Sequence, residues 1–173
     1  RNTVKDFSSV EFTFDDQDPA ALAWLVANKR EQFKRTNRHD VLGSEWAQKY
    51  IDALRHMPGE RFGSRVLTMR IDGRLAAVEL NLISDRVMHG WMISYEDDFS
   101  RYSPGYQLWQ QALRLMTEHG ITEYDSGPSM EYYKKYFANY TLPQASGVLR
   151  TDRSSLSPVR LAATGWRAAE DIM

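Results

Sequence analysis

Apolar and polar positions alternate over Val10–Phe14 and then give way to Asp15-Asp16-Gln17-Asp18-Pro19. The period of two predicts a strand, and the acidic, proline-closed run ends it. Asp18 before Pro19 is a helix start, because the carboxylate caps a first-turn amide and proline lacks an N–H that would go unpaired there. Leu22, Leu25, Val26 and Phe33 then share one helical face, so a helix is expected from Pro19 to about Thr36. A second helix starts near Ser44, with Glu45 in its first turn and Trp46, Tyr50, Ala53 and Leu54 as its apolar face, and Pro58-Gly59 ends it. The middle alternates again. Arg65–Ile71, a turn at Asp72-Gly73, Arg74–Ser84, a turn at Ser84-Asp85-Arg86, and Val87–Tyr95 predict three antiparallel strands joined by hairpins. Ser103-Pro104-Gly105 precedes a helix from about Tyr106 to Glu118, with Leu108, Ala112, Leu115 and Met116 at helical spacing and Gly120 as its C-terminal cap. Ile121–Asp125 predicts a short strand, Met130–Ala138 a short aromatic helix and Tyr140–Thr151 a last strand. Ser154–Pro158 is an expected linker, and Val159–Ile172 an expected closing helix. Antiparallel hairpins followed by a strand–helix–strand crossover imply an α/β fold: a mixed, mostly antiparallel sheet with helices on both faces.

Length and charge narrow the function. At 173 residues the chain fits one domain, and 22 Lys+Arg against 23 Asp+Glu exclude a nucleic-acid binder held by gross charge, so no DNA partner is expected. There is no cysteine, which excludes disulfides, thiolate zinc sites and cysteine nucleophiles, and suits a reducing cytoplasm, the location expected. No apolar run approaches the roughly 18 residues of a membrane span. His39, His56, His89 and His119 are isolated, so no metal is expected, and no Gly-x-Ser-x-Gly elbow is present. The chain opens on Arg1 rather than Met, and Arg1–Ser9 is polar. That pattern is expected of a flexible N-terminal segment in a processed chain or a fragment, and a homodimer or a larger parent polypeptide stays open.

Several positions carry candidate chemistry. At Ser103–Gln107 a loop turns into a helix, where first-turn amides suit a phosphate, Gly105 permits close approach and Arg101 adds charge. An ordinary capped helix start is the alternative. Glu79 interrupts the apolar strand Ala76–Ile83 on the face of Ala77 and Asn81. A carboxylate there either meets solvent or sits in a cleft with a raised pKa. His89 takes an interior position on the next strand, with Trp91 and Tyr95 expected on its face, and Asp125 ends a strand. Together Glu79, Asn81, His89, Trp91 and Asp125 form a candidate polar–aromatic cleft, each residue having a purely structural alternative. Lys29, Arg30, Lys34, Arg35, Arg38 and His39 form a basic stretch, read as a solvated helix face in preference to an anion site.

Three segments carry a family resemblance: Ile71-Asp72-Gly73-Arg74-Leu75-Ala76-Ala77; Ser94–Gly105, a strand end followed by Ser-Pro-Gly; and Tyr124-Asp125-Ser126-Gly127 with Tyr133-Lys134 six residues past the glycine. With the element order, they resemble the GNAT acyltransferases, and within them the CelD/BcsL-type acetyltransferases linked to cellulose and exopolysaccharide production. The Fem-type aminoacyltransferases are a sister group sharing the Tyr-Lys segment. The resemblance implies a GNAT-type domain over 10–151, after a segment at 1–9 and before a linker and helix at 152–173. It implies an enzyme that moves an acetyl or other acyl group from acetyl-CoA to an amine or hydroxyl of a sugar or cell-envelope precursor by direct attack. Arg101, Ser103, Gly105, Tyr106 and Gln107 would bind the cofactor, with backbone amides near Met92–Tyr95 holding the carbonyl. Tyr133 would protonate the leaving thiolate, and Glu79, His89 and Asp125 would handle the acceptor's proton. Asn81, Trp91 and Lys134 would meet the acceptor, and Lys134 would offset negative charge. The pyrophosphate loop departs from the family's glycine-rich form and keeps only Gly105. Two alternatives accompany this reading: aminoacyl-tRNA-dependent transfer, against which the neutral charge weighs, and a catalytically inert binding or assembly domain.

Overall fold

The computed structural model describes residues 3–57, 61–128, 134 and 136–145. The chain divides into two compact units, Arg1–Lys134 and Lys135–Met173. In the second, the described residues 136–145 form no strand, so the expected strand over Tyr140–Thr151 is not formed in its first half. The remainder of that strand, the closing helix and most of the helix expected over Met130–Ala138 lie outside the described residues.

The first unit runs α1 (Thr3–Asp6), β1 (Val10–Thr13), α2 (Pro19–Arg35), α3 (Glu45–Arg55), β2 (Phe62–Ile71), β3 (Arg74–Ser84), β4 (Val87–Tyr95), α4 (Pro104–Leu115) and β5 (Glu123–Asp125), with short 3-10 turns between. The strands form one sheet in the order β1-β2-β3-β4-β5. Every pairing is antiparallel except β4 with β5. This is the expected mixed α/β sheet with helices on both faces.

The local reasons follow the sequence closely. The Asp18 carboxylate accepts from the Ala20 amide at 2.9 Å, and Pro19 opens α2. Asp72 and Gly73 both take positive φ (47° and 77°), the backbone that a two-residue hairpin between twisted strands requires. On one face of the sheet Ala21 and Leu25 of α2 and Ile51 of α3 pack on Val66, Val78 and Leu80. On the other, Leu108 and Ala112 of α4 pack on Leu67, Met69, Ala77 and Met88. Covered on both sides, β3 is buried almost without interruption, which is why its sequence reads as a near-continuous apolar run.

Two irregularities reset the side-chain alternation. The register shifts between Met69 and Arg70 against β3, and Ala76 and Ala77 both enter the α4-side core. Opposite Leu80 and Asn81, β4 holds one extra residue: Asn81 pairs with Gly90 and Leu80 with Met92, leaving Trp91 as the bulge. Tyr95 pairs with Ala77, whereas His89 pairs with Leu82. His89 and Tyr95 therefore face opposite sides, and the shared face expected from simple alternation is corrected by the bulge. Ahead of β1, the polar segment forms α1, and Phe7 stacks edge-on to Phe99 and Tyr102 at 5.7 and 5.0 Å.

Candidate functional site

Strands β4 and β5 run side by side only from Val87/Glu123 to His89/Asp125. There β5 ends while β4 continues to Tyr95. From Gly90 onward, among the described residues, β4 pairs with β3 alone, so its other edge borders a gap. That gap is a cleft of about 620 Å³ lined by Glu79, the strand residues from His89 to Ile93 and Tyr95, Gly105, Tyr106 and Trp109 of α4, Tyr124, the Ser126–Pro128 turn, Lys29 and Lys134.

Two polar pairs flank β4 at this opening. On the α4 side, the Tyr124 hydroxyl donates to Glu79 Oε1 at 2.6 Å. Glu79 is 4% exposed, and among the described residues its Oε2 has no hydrogen-bond partner; neither do the two amide atoms of Asn81, two residues along. Burial pushes the Glu79 carboxyl up to about 7, outweighing the lowering by the Tyr124 hydroxyl and the nearby Asn81 amide. On the other side, His89 Nδ1 lies 3.0 Å from Asp125 Oδ2. Burial pushes Asp125 up, but the Gly127 amide, His89 and Lys134 together hold it below the usual carboxylate range. The Gly127 amide donates to Asp125 Oδ1 at 2.8 Å, and Lys134 Nζ donates to the Ser126 carbonyl at 2.6 Å, tying down the turn that follows β5.

The candidate residues thus separate. Glu79, His89, Trp91, Gly105, Tyr106 and Lys134 line the cleft. Asp125 stands behind His89, and Asn81 is fully buried beside Glu79. Arg101 lies over the ring of Tyr102, 4.5 Å from its centre, and bonds to its hydroxyl. Gln107 donates from Nε2 to the Tyr102 carbonyl at 2.7 Å. Ser103 takes a left-handed backbone (φ 52°) and makes no side-chain cap, so the alternative of an ordinary capped helix start is not what forms: α4 begins at Pro104, two residues before the expected start, with the residue before it in a conformation unusual for serine. Tyr133 lies outside the described residues. From the basic stretch, Lys29 reaches the cleft, while Arg30, Lys34 and Arg35 pair with Asp40, Glu31 and Asp97.

Among the sequence motifs Tyr124 stands out only as part of one, with no role attached, and Gly90 does not stand out at all. A signal for both existed: a glycine inside a strand marks a close approach by something else. A Cβ on Gly90 would overlap the Tyr124 hydroxyl and lie 2.9 Å from its Cζ. Among the described residues no group of acidic, histidine or cysteine side chains could hold a metal ion, and no helix is long and apolar enough to cross a membrane.

Comparison with known proteins adds three findings. Residues 1–135 match the model of a family described as an acetyltransferase (GNAT) domain. No curated protein matches the chain in sequence. Similar solved structures include an aminoglycoside acetyltransferase from an uncultured soil metagenomic sample in complex with sisomicin (15% identity, covering 89% of this chain and 99% of that chain, TM-score 0.53). Another is a ribosomal-protein-alanine N-acetyltransferase from Brucella melitensis biovar Abortus 2308 (15% identity, covering 83% and 100%, TM-score 0.53). A third, from Clostridium difficile 630 and described as "a possible acetyltransferase", has 11% identity, covers 81% and 99%, and gives a TM-score of 0.56. At these identities the likeness is one of fold.

Proposed function

The chain belongs to the acetyltransferase (GNAT) domain family, and from that premise we propose that it moves an acetyl group from acetyl-CoA to an amine or hydroxyl of a saccharide or cell-envelope precursor. One observation carries the reading. β4 outruns β5, leaving the Gly90–Tyr95 edge open along a cleft whose far wall is the first turn of α4. An extended acyl-pantetheine arm suits such an edge, with backbone amides near Met92–Tyr95 set against the thioester carbonyl. The start of α4 at Gly105 and Tyr106 suits the pyrophosphate. Arg101 is engaged with Tyr102, and among the described residues Lys29 and Lys134 are the cations that border the cleft, where their charge favours the ligand's anionic groups.

Direct attack is the preferred course, and the lack of cysteine removes the thiol route to an acyl-enzyme. Two pairs beside the cleft are candidates to receive the acceptor's proton: Glu79 with Tyr124, and His89 with Asp125 behind it. Tyr133 is assigned the protonation of the departing thiolate on the family resemblance. A saccharide acceptor is supported by aromatic faces at and beside the cleft. Trp91 lines the cleft and meets Tyr50 of α3 edge-on at 6.2 Å, and Tyr50 is 48% exposed. Such surfaces stack on the apolar faces of sugar rings, and the resemblance to the CelD/BcsL-type acetyltransferases points the same way.

Calorimetry with acetyl-CoA, and thiol release on mixing with a panel of amino sugars and polyols, test this proposal. The absence of cysteine means that the protein contributes no thiol background. Saturable binding and acceptor-dependent thiol release are expected. A folded protein that binds no acetyl-CoA at millimolar ligand overturns the reading.

A further inference from the structure

We infer that Tyr124, a residue of the cleft wall, is a catalytic residue of the transfer: its hydroxyl takes the proton of the attacking acceptor while passing its own to Glu79. The inference rests on the acyl-transfer reading above and chooses between its two candidate bases.

Glu79 cannot meet an acceptor directly. One carboxylate oxygen is occupied by Tyr124 and the other is sealed from solvent. Tyr124 lines the cleft at the place where β4 and β5 part, one pair before the last pair of the ladder, and Trp109 packs edge-on to its ring at 6.0 Å. A phenol oxygen donates one hydrogen bond and still has lone pairs to accept another, so it can relay a proton that a buried carboxylate cannot reach. The architecture makes room for this geometry at a cost. Gly90 lacks a Cβ where the Tyr124 hydroxyl sits, and that Cβ would also come within 3.2 Å of Glu79 Oε1. A glycine inside a strand sacrifices packing and backbone entropy. Here the vacated space holds a hydrogen-bonded pair facing a cleft.

The step balances. The acceptor nitrogen or oxygen bonds to the thioester carbon, and the carbon–sulfur bond breaks. The acceptor's proton moves to Tyr124 Oη as the Tyr124 proton moves to Glu79 Oε1. The sulfur takes its proton from the separate acid assigned above. Glu79 ends neutral and returns its proton through Tyr124 to water after the product leaves.

Glu79 is faced by Tyr124 from β5, Leu67 from β2 and the Gly90 backbone from β4, with Asn81 along its own strand. Among the described residues, the other titratable groups bordering the same cleft are His89, Lys29, Lys134, Tyr95 and Tyr106. Because Glu79 must be ionised to receive the proton, kcat/KM should rise with pH through about 7.

The test is the pH profile of thiol release for Tyr124→Phe, Glu79→Gln, the double variant and His89→Asn, with acetyl-CoA binding and melting temperature measured alongside. Tyr124→Phe and Glu79→Gln should each lose on the order of a hundredfold in kcat/KM together with the rising limb. The double variant should be no worse than either, and acetyl-CoA binding should be unchanged. Gly90→Ala, which displaces the Tyr124 hydroxyl without touching either group's chemistry, should lose the same limb. A Tyr124→Phe enzyme that keeps the limb and stays within about twofold of wild type overturns the relay, as does a limb that vanishes only in His89→Asn. A wild-type protein that neither binds acetyl-CoA nor releases thiol overturns the acyl-transfer reading and the relay with it.

Discussion

Glu79–Tyr124 and His89–Asp125 are two acid–base pairs on opposite sides of one strand, and only one of them is dry. Their hydrogen bonds are similar, 2.6 and 3.0 Å. Their surroundings differ. Glu79 lies beneath α4 with one oxygen unpartnered, whereas the side chains of His89 and Asp125 are 32% and 46% exposed. The carboxyl shifts run in opposite directions for that reason. Burial is the largest influence on both, but Asp125 has an amide, an imidazole and an ammonium to offset it, while Glu79 has a hydroxyl and an amide. A carboxylate's partners determine its proton affinity only once its access to water is known.

Stability measured against pH separates the pairs most sharply. Glu79 binds its proton more tightly in the folded chain, at about 7, than at the ordinary value of 4.5 expected unfolded. Its contribution is therefore complete below pH 4.5 and is lost as pH rises through about 7. The shift corresponds to about 3 kcal/mol. Urea unfolding of Glu79→Gln against wild type should show that slope disappear, and an unchanged slope would mean that Glu79 is solvated. Next in size is Gly90→Ala, expected to cost about 1–3 kcal/mol through the collision with Tyr124. Combining it with Tyr124→Ala should give less than the sum of the two single losses; strict additivity would show that the two residues do not touch. Asp125→Asn should act with the opposite sign. Its carboxyl is held below 3.8 when folded, so its contribution is present above that pH and is lost on acidification. With the pair this exposed, the loss should stay within about 1 kcal/mol and shrink further in salt. The smallest stability effect belongs to Trp46→Ala, within about 0.5 kcal/mol for a side chain 64% exposed. Tyr50→Ala, beside the cleft-lining Trp91, should instead raise the KM for a saccharide acceptor, and an unchanged KM would remove α3 from the acceptor site.

Much of the scaffold was legible because its signals are local. Asp18-Pro19 starts α2 by a bond two residues long, Asp72-Gly73 turns the hairpin by its own dihedrals, and the α2 and α4 faces repeat at helical spacing. Glu79 stood out as a charge in an apolar strand. Other features were not legible. The Trp91 bulge depends on the register against Leu80 and Asn81, and no pattern within β4 encodes it. Simple alternation therefore placed Tyr95 beside His89. Ser103 reads as a cap, but its left-handed backbone leaves the side chain without that bond. Arg101 reads as a phosphate ligand, and Tyr102, its neighbour in sequence, claims it instead.

The sequence by itself determined the elements, their order and the family's motifs, because capping, turns and periodic burial are settled within a few residues of chain. Only the tertiary structure decided which side chains meet. The bond from Tyr124 to Glu79 spans 45 positions and that from His89 to Asp125 spans 36. Whether either pair is wet or dry depends on α4 and on where β5 stops beside β4. The absent side chain of Gly90 acquires its meaning at that distance too, since the space it leaves is filled from another strand.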